Sequence, residues 1–143
     1  MDADRAARLT DDWVKRHVTV QPPSPDAVAA VADALALVPE PEAAAAVTGS
    51  DERPRIAALA AAALYLVWAV PASATVREAA RCRRVPLDPA HTAIELSERR
   101  DPGAVVRHWW FEVDDEPLVF RTSGVDEAER FARALAGALG WPQ

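Results

Sequence analysis

PRIAALAAAALYLVWAV, residues 54–70, is the stretch on which the fold turns, because no other part of the chain is so apolar. At helical spacing Leu59, Ala63, Leu66 and Val70 fall on one side, and Ile56, Ala60, Leu64 and Val67 occupy the others. A helix that is apolar all round is normally buried, and the alanines at 57, 58 and 60–63 would let neighbouring backbones approach closely. The pattern predicts a helix from about Pro54 to Val70, either central to the core or at a subunit interface. A membrane span fits less well. The uncharged run extends from Ile56 to Val76, between Arg53, Arg55 and Arg77, but its continuously apolar part stops at Val70. Pro71, Ser73 and Thr75 then follow where a span would still lie in lipid.

Toward the N-terminus, Ala6, Leu9 and Trp13 form one stripe of a helix over Ala3–His17. Pro22, Pro23 and Pro25 make Val18–Pro25 a stiff connector. Ser24 is a good N-cap, with Pro25 at the first helical position, Asp26 in the first turn, and Val28, Val31, Leu35 and Val38 at helical spacing. Pro39 and Pro41 end that helix, Glu42–Val47 suggests one more turn, and Thr48–Asp51 reads as a loop. Beyond the central stretch, Ala74–Arg83 predicts a shorter helix before Pro86 and Pro89.

The period then changes from helical to alternating. Thr92, Ile94 and Leu96 alternate with Ala93, Glu95 and Ser97, which favours a strand, with a helix starting at Asp88–Pro89 as the alternative. Asp101, Pro102 and Gly103 supply a turn, and Val105–Val113 is the clearest strand of the chain. A turn at Asp114–Pro117 leads to a returning strand, Leu118–Thr122. Pairing Val113 with Leu118 sets Phe111 against Phe120, Trp109 against Thr122 and Trp110 against Arg121, a cation–π arrangement. Ser123 with Asp126 starts a last helix, whose stripe of Ala128, Phe131, Ala132, Leu135 and Leu139 should cover the aromatic face, and Gly140 ends it.

The expected fold class is therefore α+β in one domain, 1–143. An alanine-rich helical half, 1–85, packs on a small antiparallel sheet of two or three strands followed by a C-terminal helix, 86–143, with a shared core. The hairpin and terminal helix resemble the end of a pleckstrin-homology-type domain over about 40 residues, without a diagnostic motif to assign a family.

Composition narrows the function classes further. The chain has 143 residues, net charge −6 and one cysteine, which excludes an intramolecular disulfide framework. Alanine fills 32 positions, arginine outnumbers lysine 15 to 1 and asparagine is absent, the mark of high-GC coding. Met1–Thr10 lacks the apolar stretch of a secretory signal, so the expected location is the cytoplasm. His17, His91 and His108 share no metal-ligand spacing, and His91 with Glu95 is the nearest approach to a ligand pair. No serine-nucleophile, phosphate-loop or cofactor signature is present, so no catalytic, metal or cofactor residues are assigned. Ser24, Ser50 and Ser123 read as caps, and Asp114, Asp115 and Glu116 as a solvated acidic turn or as the counterpart of an arginine patch on a second copy.

Cys82 lies among Arg81, Arg83 and Arg84, where positive charge could favour the thiolate, although a free cysteine is more often a small core residue. Arg77, Arg81, Arg83 and Arg84 form the one basic patch. Residues 51–100 carry 8 Arg against 6 acids, whereas each flanking segment carries 4 basic against 8 acidic residues. Thr75–Ile94 resembles a helix-turn-helix at low resolution, which would make the chain a DNA-binding regulator. The missing turn glycine, Pro86, Pro89 and the acidic remainder count against nucleic acid.

Val106, His108, Trp110, Val119 and Arg121 lie opposite the helix-covered face of the hairpin, where either the N-terminal helices or a partner must cover Trp110. The leading expectation is a small cytoplasmic, non-enzymatic interaction or accessory domain that self-associates or binds another protein. The alternatives are the DNA-binding regulator and a small-molecule site, between the helical half and the hairpin, lined by Trp68, Trp109 or Trp110 and His108.

Overall fold

The computed structural model describes residues 1–18, 20–48, 53–70, 79–123 and 126–141. Two helices, α1 (Ala3–Lys15) and α2 (Pro25–Ala36), precede a four-stranded meander of β1 (Ala43–Thr48), β2 (Pro54–Ala60), β3 (Ala63–Val70) and β4 (Ala79–Pro86). A 3-10 turn (Pro89–His91) leads to a three-stranded meander of β5 (Thr92–Asp101), β6 (Ala104–Val113) and β7 (Glu116–Ser123), and helix α3 (Glu127–Ala138) closes the chain. Every strand pairing is antiparallel. No helix among the described residues is long and apolar enough to cross a membrane.

The expected alanine-rich helical half is overturned. Residues 54–70 form a β-hairpin, Ile56 pairing with Val67 and Leu59 with Leu64. The expected turn at Glu42–Val47 is strand β1, and the described part of the expected helix at Ala74–Arg83 belongs to β4. Residues 49–51 and 74–78, which complete those expectations, lie outside the described residues.

The reason is double-sided burial of the first sheet. Ala44, Ala46, Ile56, Ala58 and Val67 pack with Ala6, Leu9, Trp13, Val31 and Leu35 of α1 and α2. Their sheet neighbours Ala45, Val47, Ala57, Leu59, Leu64 and Leu66 face the other way, into a cluster with Trp109, Phe111, Phe120 and Phe131. A strand apolar on both faces shows no alternation, so its pattern cannot be told from that of a buried helix. The turn gives no warning either: Ala61 and Ala62 take φ of +48° and +58°, values usually left to Asn-Gly or Asp-Gly in a two-residue hairpin.

The resulting molecule has three layers, with α1 and α2 on one side of the first sheet and the second sheet with α3 on the other. Helix α1 lies over β1 and β2, and α2 over β3 and β4. Helix α3 sits against β1, β2 and β7, over the corner where the two sheets come together. The aromatic core runs from Trp109 to Phe111 (centroids 5.6 Å apart), on to Phe120 (5.9 Å), and from there to Phe131 of α3 (6.0 Å).

Local signals placed the helices well. Ser24 Oγ accepts the Ala27 amide (3.1 Å) at the start of α2. At the end of α3, Gly140 turns to φ +88° and the Trp141 amide donates to the Ala136 carbonyl (2.9 Å). The cap of α3 is Asp126, whose carboxylate accepts the Glu129 amide (2.8 Å), because Ser123 is still in β7. The β6–β7 register is two residues tighter than expected. Val113 pairs with Glu116 across an Asp114–Asp115 turn, so Phe111 meets Leu118, Trp109 meets Phe120, and Arg107 meets Thr122. A two-residue slip preserves which side chains face inward, so the aromatic face survives while its partners change.

Candidate interaction surface

Strand alternation sends Trp109, Phe111 and Val113 inward, which leaves His108, Trp110 and Glu112 on the outer face of β6. Cross-strand pairing then builds four rows on that face. They are Ala93–Glu112–Pro117, Glu95–Trp110–Val119, Ser97–His108–Arg121 and Arg99–Val106–Ser123. The five residues read from the sequence as one surface, Val106, His108, Trp110, Val119 and Arg121, do share this face. Val106, Trp110 and Val119 are half-buried, and His108 and Arg121 are exposed.

The pairings within the face differ from expectation. Arg121 stands beside His108, and Trp110 stands between Glu95 and Val119, so the expected Trp110–Arg121 contact is replaced. The N-terminal helices do not cover Trp110, because they lie on the far side of the first sheet. Its cross-strand neighbours shield it only in part. Charge is polarised along the face: Glu95 and Glu112 occupy one end, and His108 and Arg121 the other, with Arg99 and Asp101 beyond them. Arg99 is held by Asp101 (3.1 Å), whereas among the described residues Glu95, Glu112 and Arg121 form no ion pair.

The basic patch does not form the expected surface. In place of a helix-turn-helix, Arg81, Arg83 and Arg84 lie on β4, the edge strand of the first sheet. Arg81 and Arg83 pair with Trp68 and Leu66 on one face, while Arg84 pairs with Tyr65 on the opposite face. Arg77 lies outside the described residues. Arg83 reaches Asp114 of the acidic turn at 3.9 Å, so part of the segregated charge is answered within the chain. Both groups are well exposed, which makes the pair worth little.

Cys82 is exposed on the same edge strand, not in the core. It pairs with Val67 on the face toward α2, and burial of its sulfur pushes the thiol pKa up, opposite to an activated thiolate. His91 ends the 3-10 turn that Asp88 caps, with its ring 3.8 Å from the Asp88 carboxylate, and because Glu95 follows in a strand His91 and Glu95 are not on one helix face.

Of the residues expected to line an aromatic pocket, Trp68, Trp109 or Trp110 with His108, Trp109 is core and Trp68 packs at the edge of the same cluster, while Trp110 and His108 lie on the outer face of β6. Trp68 also borders a cleft of about 470 Å³ at the end of the first sheet.

Sequence reasoning missed one polar cluster. Glu129 of α3 is 2% exposed and accepts from Arg107 (2.7 Å), Arg133 (2.9 Å), the Thr122 hydroxyl and the Trp109 indole (3.4 Å). Arg107 also meets Glu98 of β5 (3.3 Å). Burial pushes the Glu129 carboxyl up, and the Thr122 and Arg133 hydrogen bonds, the Arg107 charge and the Trp109 indole outweigh it, leaving the pKa below the ordinary value of 4.5. The carboxylate is enclosed by partners of its own chain, so its chemistry is that of a clamp between α3 and the second sheet.

No known protein family, no curated protein and no solved structure matches this chain.

Proposed function

We propose that this chain is a non-catalytic cytoplasmic interaction module, and that the outer face of β5–β7 binds a second copy of itself. The observation that carries this is the polarity of the face. Acids at Glu95 and Glu112 and bases at His108 and Arg121 flank the apolar Trp110, Val119 and Val106, while Arg99 is already paired with Asp101. A two-fold axis near Trp110 lays the acidic end of one copy on the basic end of the other, and it stacks the two apolar centres, as an isologous contact requires.

The strength follows from size. Three strands about 4.8 Å apart and seven residues at about 3.4 Å give a face of roughly 350 Å², under half of the ~800 Å² that each partner contributes to a standard stable interface. Association is therefore weak, with a dissociation constant of roughly 10⁻⁵–10⁻⁴ M, and salt-sensitive because its charges are exposed.

Sedimentation equilibrium from about 10 μM to 1 mM spans that range and tests the reading. Dimerisation should weaken in high salt, disappear in Trp110→Glu and persist in Trp110→Phe. Arg121→Glu should weaken it, and adding Glu95→Arg should restore it. A protein that stays monomeric throughout, or a dimer indifferent to these changes, refutes the proposal.

A further inference from the structure

Strand β4 ends the first sheet on one side, and among the described residues only β3 pairs with it. In an antiparallel ladder successive residues turn their N–H and C=O groups alternately toward and away from the neighbouring strand. About half of the eight residues of β4 therefore offer a donor and an acceptor outward. The edge stands open: Arg81, Cys82, Arg83 and Arg84 are all exposed, whereas β1, at the other end of the sheet, is buried between α1 and α3. Pro86, which has no amide hydrogen, limits the usable edge to Ala79–Val85.

The edge is charged in one sense. It carries Arg81, Arg83 and Arg84 and no acid, although the whole chain has a net charge of −6. Arg83 is engaged by Asp114, so the charge on offer is that of Arg81 and Arg84, which form no ion pair among the described residues. Arg81 pairs with Trp68 and Arg84 with Tyr65, which puts the two side chains on opposite faces of the sheet. A row of phosphates laid on one face meets only one of them. A strand lying alongside β4 meets both, because its own side chains alternate between the same two faces. Acids three residues apart along such a strand stand across from Arg81 and Arg84, and opposite charges in that position reinforce strand pairing.

A second copy does not satisfy this edge. Its β4 would set arginine against arginine. Its β5, the terminal strand of the second sheet, carries Arg99 and Arg100, and its Glu98 is already held by Arg107 (3.3 Å) and Arg100 (3.7 Å). We infer that β4 takes up an extended acidic peptide of a partner protein as a fifth strand of the first sheet, with backbone groups supplying the pairing and Arg81 and Arg84 selecting acids three residues apart. The site is separate from the outer face of β5–β7 and does not depend on self-association there.

Fluorescence anisotropy titration with the labelled octapeptide TVEVTEVT, whose glutamates are three residues apart, tests this. Of two counterparts, TVQVTQVT lacks the charges, and TVEPTEPT keeps them but cannot pair along its length. The glutamate peptide should bind at least about five-fold more tightly than the glutamine peptide at low salt, the margin of two cross-strand charge pairs. The proline peptide should not bind. Arg81→Gln and Arg84→Gln, both at exposed positions, should each remove part of the margin, and Trp110→Ser should leave it intact. Amide hydrogen exchange should slow at β4 in the complex and stay unchanged at β5. Absence of binding up to about 1 mM peptide, equal affinity for any two of the three peptides, or protection at another strand overturns the inference. Tighter binding of a labelled eight-nucleotide oligothymidylate than of the glutamate peptide overturns it as well, and assigns the arginines to nucleic acid.

Discussion

A carboxylate removed from water is tolerated only where hydrogen bonds and opposite charge replace its hydration, and Glu129 meets that condition with four donors from β6, β7 and its own helix. Glu129→Gln keeps the shape and removes the charge, which leaves Arg107 half-satisfied in a partly buried place. The expected loss is about 2–4 kcal/mol in urea unfolding at pH 7, toward the lower end because Arg133 is 58% exposed. The pH dependence has a definite sign. Since the folded pKa is below the ordinary 4.5, the stabilisation is complete above that value and is lost as pH falls through the folded pKa. The unfolding midpoint of the natural protein should therefore drop between about pH 5 and pH 3 more steeply than that of Glu129→Gln, and parallel curves would remove the clamp from the account. Part of this cluster was visible in the sequence. Arg107 and Thr122 interrupt the apolar face of β6 and β7, and Glu129 and Arg133 are one helical turn apart. What was missing was the register that brings Arg107 opposite Thr122.

At the scale of elements, the hairpin β2–β3 shows where sequence reasoning fails and why. Helices α1 and α2 were legible because each has one apolar stripe and clear ends. The hairpin was not, because both its faces are buried and its turn is made of alanine. An alanine at positive φ carries strain of about 1–2 kcal/mol, so replacing the turn by Ala61→Asn with Ala62→Gly should relieve it. The added freedom of glycine in the unfolded chain offsets about 0.4–1 kcal/mol, for a net gain of about 1 kcal/mol, or a rise of about 2–4 °C in Tm. The sign is the useful part. In a helix the same glycine would cost about 0.5–1 kcal/mol, so calorimetric melting of the double variant separates the two folds: a fall in Tm contradicts the hairpin. The alternation that sets which side chains of β6 face outward survives a two-residue slip, whereas the pairing of Trp110 with Arg121 does not.

For the whole molecule, the first sheet is common to both cores, one face serving α1 and α2 and the other the second sheet with α3. Neither outer layer can bury its apolar side without that sheet, so the described layers should unfold together. Trp13 tests the coupling because it ties α1 to the start of β2 through its ring and its hydrogen bond to Pro54. Trp13→Ala should cost about 3–5 kcal/mol, as large aromatic truncations in cores do, while Trp110→Ser on the outer face should cost under about 1 kcal/mol. Trp13→Phe, which keeps the ring bulk and loses the indole donor, supplies a milder variant at about 1–2 kcal/mol. In all three, far-UV circular dichroism and tryptophan fluorescence should report one coincident transition, because loosening the helical layer withdraws support from the sheet on which the aromatic core also rests. Two separated transitions in Trp13→Ala would mean that α1 and α2 detach while the sandwich persists. The three layers would then be two independent bodies, and the shared sheet would not couple them.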